Sequence, residues 1–211
     1  LLGGDFNYGD PVVESVETIP SPDGSHDQLW LVVKRTLNGS TARTIEYMEN
    51  FFDGQSDSLE DAYFVDCGLT YSGAEKTYIG SMWHLNGQTV SILADGTEHA
   101  DKVVSNGAIT LDRAAFKVHI GMYVPAEGEM LRFEAGSRDG TAQGKTQRIN
   151  RCTYRLYSTV GMQVGPDFSH LDTIAFDGTM FTGDKSEPFQ GNYTMDARIC
   201  FRQPKPLPFT I

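Results

Sequence analysis

Residues 89–111 read TVSILADGTEHADKVVSNGAITL, and this stretch decides the fold class. It holds three short runs of aliphatic and β-branched residues, at 89–93, 102–104 and 108–111. Asp95-Gly96 follows the first run and Asn106-Gly107 precedes the third. Because Asp-Gly and Asn-Gly are strong signals for tight turns between antiparallel strands, the stretch predicts short strands joined by tight turns.

The same pattern extends on both sides of this stretch. Asn86-Gly87 lies before it, and another strand-like run follows at 116–120, so turn signals recur about every ten residues. Evenly spaced short strands favour a closed barrel, because closure removes the exposed edges that such strands would leave. We therefore predict a small β-barrel over residues 79–125.

The flanking segments also predict strands. Residues 28–37 and 42–48 form a strand pair around Asn38-Gly39, and residues 151–156 alternate between polar and apolar side chains. One helical turn is expected at 57–62, and the proline-rich tail at 203–208 is expected to lie extended on the surface. The predicted fold is all-β, with a larger β framework of residues 1–78 and 126–211 into which the barrel is inserted.

A Gly-Lys-Thr within GTAQGKTQRI, residues 140–149, raises the question of nucleotide binding. In a phosphate-binding loop of this kind, the first glycine would occupy position 139, where this chain has aspartate. A strand pattern follows, whereas phosphate binding needs the N-terminus of a helix. The stretch is therefore predicted to be a turn between strands.

Length and composition limit the classes of protein to which the chain can belong. The chain has 211 residues, 39% of them hydrophobic, which is enough for a packed core. No apolar run approaches the roughly 18 residues of a membrane span. Because the sequence begins with Leu1 and not with methionine, we expect it to be an internal or C-terminal piece of a longer soluble protein.

The net charge of −11 is unevenly distributed. Residues 1–27 hold six acidic residues and residues 46–75 hold eight, with no lysine or arginine in either stretch. Basic residues gather between Arg132 and Arg155. An acidic chain of this kind is unsuited to sequestering DNA or RNA, and each charged run can also be read as a solvated face.

The sequence holds few candidates for catalysis. The five histidines are scattered, and Cys67 has the acidic neighbour Asp66, which would raise its pKa and not activate it. Cys67, Cys152 and Cys200 show no zinc-binding spacing, so we expect reduced, partly buried thiols. Trp30 and Trp83 are predicted to anchor cores. We predict no enzyme activity, no cofactor and no metal.

An ordered set of segments resembles the C-terminal part of a phage protein family. The segments are DAYFVDCGLTYSG, MWHLNGQTVSILADG, VVSNGAITL, GTAQGKTQRINRCTYRLYSTVGMQVG, MFTGDKSEPFQG and PKPLPFTI, over roughly residues 28–211. The family is that of the tail nozzle or tail tubular proteins of short-tailed bacteriophages, also named stabilisation proteins. Residues 79–125 resemble the barrel of the first catalytic-cysteine half-domain of ubiquitin-activating enzymes. No cysteine lies within 79–124, so that enzyme's chemistry does not transfer.

The resemblance implies a structural protein of the virion, assembled in the bacterial cytoplasm. It implies a homo-oligomeric ring, as a hexamer, which forms a conduit for DNA ejection and contacts the head-to-tail adaptor and the tail fibres. The alternative is a carbohydrate- or receptor-binding β module of a phage tail, since small β domains with exposed aromatic side chains commonly bind glycans. A hydrolase is the third and weakest reading, because no ordered catalytic set is present.

The charge pattern supplies candidate site residues for such a conduit. Carboxylates repel the phosphates of passing DNA, whereas lysine or arginine would bind them. We therefore expect the acidic stretch to line the lumen and the arginine-rich strand to face a neighbouring subunit. The lumen candidates are Glu46, Glu49, Asp53, Asp57, Glu60 and Asp61, with Asp66 and Glu75 in the same stretch, and the interface candidates are Arg151 and Arg155.

Overall fold

The computed structural model describes residues 11–133, 140–141 and 144–211. The chain divides into two compact units, Leu1–Val124 and Pro125–Ile211. Within the described residues the regular structure is almost entirely antiparallel β, and the helical turns are two short 3₁₀ turns, Leu59–Asp61 and Trp83–Leu85. The predicted all-β fold class is therefore confirmed.

The first unit contains two sheets. One has the order β1-β2-β3 and the other the order β4-β7-β5-β6. The strands are β1 Val12–Pro20, β2 Asp27–Leu37, β3 Ser40–Tyr47, β4 Asp66–Ile79, β5 Thr89–Ala94, β6 Thr97–Val103 and β7 Ile109–Met122.

Tight turns join these strands where the sequence predicts them. Asn38 and Gly39 have φ values of 51° and 74°, and Asp95 and Gly96 have 49° and 70°. Two consecutive positive φ angles define the turn that suits the twist of a two-residue hairpin. These dipeptides therefore set the β2–β3 and β5–β6 registers, in which Leu37 lies opposite Ser40 and Ala94 opposite Thr97.

The core of the first unit belongs to its four-stranded sheet. Apolar side chains from β5 and β7 are completely buried together with residues of the 3₁₀ turn and of the segments on either side of it. The largest fully buried side chains of this core include Ile79, Met82, Leu85, Val90, Ile92, Val104 and Ile120. Their burial supplies most of the hydrophobic stabilisation of this unit.

The predicted closed barrel at 79–125 is not observed. In the described residues β4 and β6 form the two edges of the sheet, which therefore stays open. The runs at 108–111 and 116–120 belong to one continuous strand, β7, and not to two short ones. β4 pairs with β7 from Asp66 to Ile79. β7 therefore has a partner strand on this side without closure of the sheet into a barrel.

The boundary between the units also differs from the predicted domain division. The segment 79–125 shares its sheet and its core with β4, which precedes it in the chain. The boundary between the two compact units falls instead between Val124 and Pro125 in the chain. An inserted module would need strands that pair among themselves, whereas β7 has β4 as a partner along most of its length.

The second unit also contains two sheets, with the orders β11-β10-β13-β8 and β12-β9. A core of Tyr154, Leu156, Met162, Val164 and Ile199 lies among them. The strands are β8 Ala126–Glu129, β9 Arg151–Thr159, β10 Met162–Asp167, β11 His170–Ile174, β12 Phe181–Pro188 and β13 Cys200–Gln203.

The prediction that the proline-rich tail lies on the surface is wrong. Pro206 and Pro208 are buried. The tail runs alongside β9 and is hydrogen-bonded to it. The backbone N–H of Val160 donates to Pro208 O at 3.0 Å, and that of Tyr157 donates to Thr210 O at 3.1 Å. Proline lacks an N–H but keeps its carbonyl, so the tail can satisfy the free edge of β9 without being a regular strand.

Candidate functional site

Glu46, the first candidate for the lumen, is part of a partly buried ion pair. Its carboxylate accepts two hydrogen bonds from Arg35, at 2.7 and 3.2 Å, and the guanidinium of Arg35 also reaches Asp66 at 3.4 Å. Arg35 is only 3% exposed. Burial acts to raise the pKa of Glu46, but the hydrogen bonds from Arg35 and Thr44 and the charge of Arg35 together outweigh it, and the pKa lies below its ordinary value. Glu46 therefore stabilises the fold through Arg35, whereas burial raises the pKa of Asp66 despite its contact with the same guanidinium.

Arg35 is a structural residue that the sequence analysis missed. The signal was present, because Val33, Arg35 and Leu37 alternate with exposed positions and so share one face of β2. An arginine on a buried face requires a partner for its charge. The partners lie 11 and 31 residues away in the chain, which is why local patterns do not reveal them.

The other acidic candidates fall into three groups. Asp61 forms an ion pair with Lys117. Asp53 and Asp57 stabilise a turn, in which Asp57 accepts a hydrogen bond from the backbone N–H of Asp53 at 2.7 Å. Glu49, Glu60 and Glu75 are exposed. Asp53 and Asp61 are exposed as well, so most of the acidic residues are exposed, but several of their carboxylates are already used within the fold.

Arg151 and Arg155 lie on β9 and point to the same exposed face, because Cys152, Tyr154 and Leu156 alternate with them in the core. Arg155 is paired within its own chain, where Nε and Nη2 donate to the two oxygens of Asp184, both at 2.7 Å. Arg151 makes a long hydrogen bond of 3.4 Å to Ser186. Arg151 is therefore the more available of the two for an external partner.

The three-stranded sheet of the first unit carries an exposed apolar surface, which we call the outer face. The registers place Ile19, Trp30, Val32, Ile45 and Tyr47 on this side. Ile45 is 74% exposed, and the rings of Trp30 and Tyr47 pack at 5.4 Å between centroids. Glu17, which lies opposite Trp30, is on the same side. An exposed apolar patch of this kind on a folded protein commonly marks an interaction site.

Both buried histidine rings are held in place by hydrogen bonds to the scaffold. His119 donates from Nε2 to Glu60 O at 2.9 Å and accepts at Nδ1 from the hydroxyl of Thr70 at 2.7 Å. Burial lowers its pKa. His99 similarly donates to Ala100 O and accepts from the backbone N–H of Asp112, both at 2.8 Å. Both rings thus have their two nitrogens occupied by the scaffold.

Cys67 lacks the surroundings of a nucleophile. It is buried, and burial raises its pKa to about 11, with Glu46 adding to the effect. The thiols of Cys152 and Cys200 are also free and buried. A thiol with a raised pKa is largely protonated at neutral pH and reacts slowly.

The two tryptophans differ from each other in burial. Trp30 is half-buried on the outer face, but Trp83 is 70% exposed, so the prediction that it anchors a core is wrong. Its indole covers the backbone of Gly107, where an added Cβ would lie 2.5 Å from the ring. Trp83 is therefore a cover over the turn at 106–107, and Met82, its neighbour in the chain, is the residue in the core.

Two kinds of feature are absent from the part of the chain that the structure describes. The described residues contain no group of three or more histidine, cysteine, aspartate or glutamate side chains placed to hold a metal ion. In the same residues, no helix is long and apolar enough to cross a membrane. The Gly-Lys-Thr region lies partly outside the described residues, at 142–143, but the segment that follows it is strand β9 and not a helix.

Comparisons with known proteins leave the family open. No protein-family model matches the chain. A search of curated proteins likewise finds no significant match.

Proposed function

We propose that the chain is a structural component of a bacteriophage tail, in which copies of the chain assemble into a ring. The observation that carries this proposal is the outer face of the β1–β2–β3 sheet, where Ile45 and Tyr47 stand exposed beside Trp30. A sheet gains its stability by covering its apolar side chains. A partner surface that covers this face is therefore expected.

Charge favours another copy of the chain as that partner. Glu17 lies on β1, at the edge of the sheet, and Glu49 follows β3, while Arg151 is exposed on β9 of the same chain. A surface that contacts a different surface on the next copy forms a head-to-tail contact, and such contacts form a ring when the rotation from copy to copy closes. The resemblance to tail nozzle proteins supports six copies in this ring.

The proposed ring forms a conduit through which the phage DNA passes. Exposed carboxylates near its wall repel phosphates over about 8 to 10 Å at physiological salt, which keeps the duplex from binding there. Of the acidic candidates, Glu49 and Glu60 suit this role best, because they are exposed and their carboxylates form no ion pair with a lysine or arginine among the residues that the structure describes. The partners of the ring would be the head-to-tail adaptor and the tail fibres.

The genes on either side of the coding sequence test this proposal. Portal and adaptor genes are expected next to it, since the proteins of one tail are made together. A neighbourhood of metabolic genes, without a single virion gene, would contradict the proposal.

A further inference from the structure

The second unit contains a groove of about 860 Å³. It lies between the turn that joins β10 to β11 and the segment 189–198. Its volume is within the range of about 300 to 1,000 Å³ that is typical of ligand sites. We propose that this groove binds an uncharged oligosaccharide, a role that goes beyond ring assembly and does not depend on it.

The base of the groove is apolar and well packed. Phe189, Gly191 and Ala197 line it and are buried. Phe189 belongs to the core of the second unit, and its backbone N–H is bound to Asn150 O at 2.9 Å. The base is therefore preformed, so a ligand would not have to order it, which lowers the entropic cost of binding.

The walls carry amide and carboxylate side chains that can recognise hydroxyl groups. Gln190, Asn192 and Asp172 line the groove and are exposed. Within the described residues, no hydrogen bond occupies these three side chains. An amide both donates and accepts, and a carboxylate accepts, so together they match the hydroxyl groups of a sugar, which also donate and accept.

The charges around the groove favour an uncharged ligand. Arg198 is already bound by Glu129 and, at 3.0 Å, by Asp196. Asp167 accepts a hydrogen bond from His170 Nδ1 at 2.8 Å. An anionic ligand would meet Asp167 and Asp172, whose charges offset that of Arg148, the other guanidinium that lines the groove, because Arg198 is already bound by its own partners.

An aromatic ring stands at the rim of the groove. Tyr193 is 73% exposed and lies between Asn192 and Thr194, both of which line the groove. The guanidinium of Arg148, another lining residue, lies over one face of this ring at 5.7 Å from its centroid. Because Tyr193 is largely exposed, its ring would pack against the apolar side of a sugar unit that extends past the rim of the groove.

A glycan array probed with the labelled 211-residue chain tests the proposal. Neutral glycans are expected to retain the chain, and the double variant Gln190→Ala/Asn192→Ala is expected to bind the best of them at least roughly tenfold more weakly, because it loses two hydrogen-bonding side chains. Asn50→Ala, which removes an exposed amide in the first unit, is the matched control and should bind like the parent. Thermal unfolding of the three proteins should coincide.

Three results would overturn the proposal. The first is an array on which no neutral glycan retains the chain. The second is retention by sulfated or sialylated glycans alone, which would make the ligand anionic. The third is a folded double variant that binds neutral glycans as tightly as the parent does, which would place the binding surface elsewhere on the chain.

Discussion

Single residues in the first unit show how the fold uses its polar groups internally. Arg35 joins Glu46 and Asp66, Lys117 joins Asp61, and His119 is bound at both ring nitrogens. Sequence reasoning assigned Glu46 and Asp61 to a lumen because both lie in an uninterrupted acidic stretch. Their partners come from distant strands, so only the folded chain shows that these carboxylates are already used.

Because His119 is buried, we predict that the stability of the fold depends on pH. The pKa of His119 is lowered by burial, so the unfolded chain, with a histidine pKa of about 6.5, binds the proton more readily than the folded chain does. The stability that His119 contributes is complete above about pH 6.5 and is lost as the pH falls towards its folded-state pKa. Urea unfolding should therefore show that the parent loses up to about 1 kcal/mol more than His119→Gln between pH 7.5 and 5.5.

The other titrating groups are common to the parent and the variant, so their contributions cancel in the comparison. Hydrogen bonds from Ser21 and Ser25 lower the pKa of Asp23 to about 2, so this carboxylate stays ionised throughout the window in both proteins. Equal losses of unfolding free energy in the parent and the variant would show that His119 is not held neutral in the fold.

Among the strands, local sequence signals predicted the hairpins correctly, but they did not predict the pairing of strands that are distant in the chain. The turns at 38–39 and 95–96 follow from two residues each, and the β2–β3 pair is confirmed nearly to the residue. The groove in the second unit has no sequence signature, because its lining comes from separate segments, 148–149, 166–172 and 189–198. The sequence predicted the strands better than it predicted which strands are neighbours.

The turn at 106–107 and the 3₁₀ turn Trp83–Leu85 form one local unit. Gly107 donates from its N–H to Asn86 Oδ1 at 3.1 Å and accepts at its carbonyl from Met82 N at 2.8 Å. Its φ is +67°, and the Trp83 ring occupies the space where a Cβ would project. Gly107→Ala should therefore cost about 2 to 3 kcal/mol, which combines backbone strain of about 1 kcal/mol with displacement of the indole.

Two comparisons separate the cost of backbone strain from the cost of displacing the indole. Gly39→Ala has a similar φ of +74° with no atom within 4 Å of the added Cβ, so it should cost only about 1 kcal/mol. In the Trp83→Ala background, Gly107→Ala should fall to the same value. Equal costs for Gly107→Ala with and without Trp83 in denaturant unfolding would show that the indole does not constrain this turn.

On the scale of the whole molecule, the two units have separate sheets and separate cores. Residues 1–124 and 125–211, produced as separate chains, should each unfold cooperatively in urea. Deletion of 80–123 should instead abolish the cooperative unfolding of the first unit, because β4 would lose β7 and the core would lose β5. A first unit that keeps cooperative unfolding after this deletion would restore the picture of an inserted module.

Self-assembly through the outer face is the central claim, and light scattering coupled to size-exclusion chromatography of the 211-residue chain tests it most directly. A closed oligomer of six copies is expected, and Ile45→Lys/Tyr47→Lys should convert it to monomers without lowering the melting temperature. Val103→Lys, at another exposed apolar position on a strand, should leave the oligomer intact. A chain that stays monomeric at every concentration, or an oligomer that survives the double variant, would contradict the account.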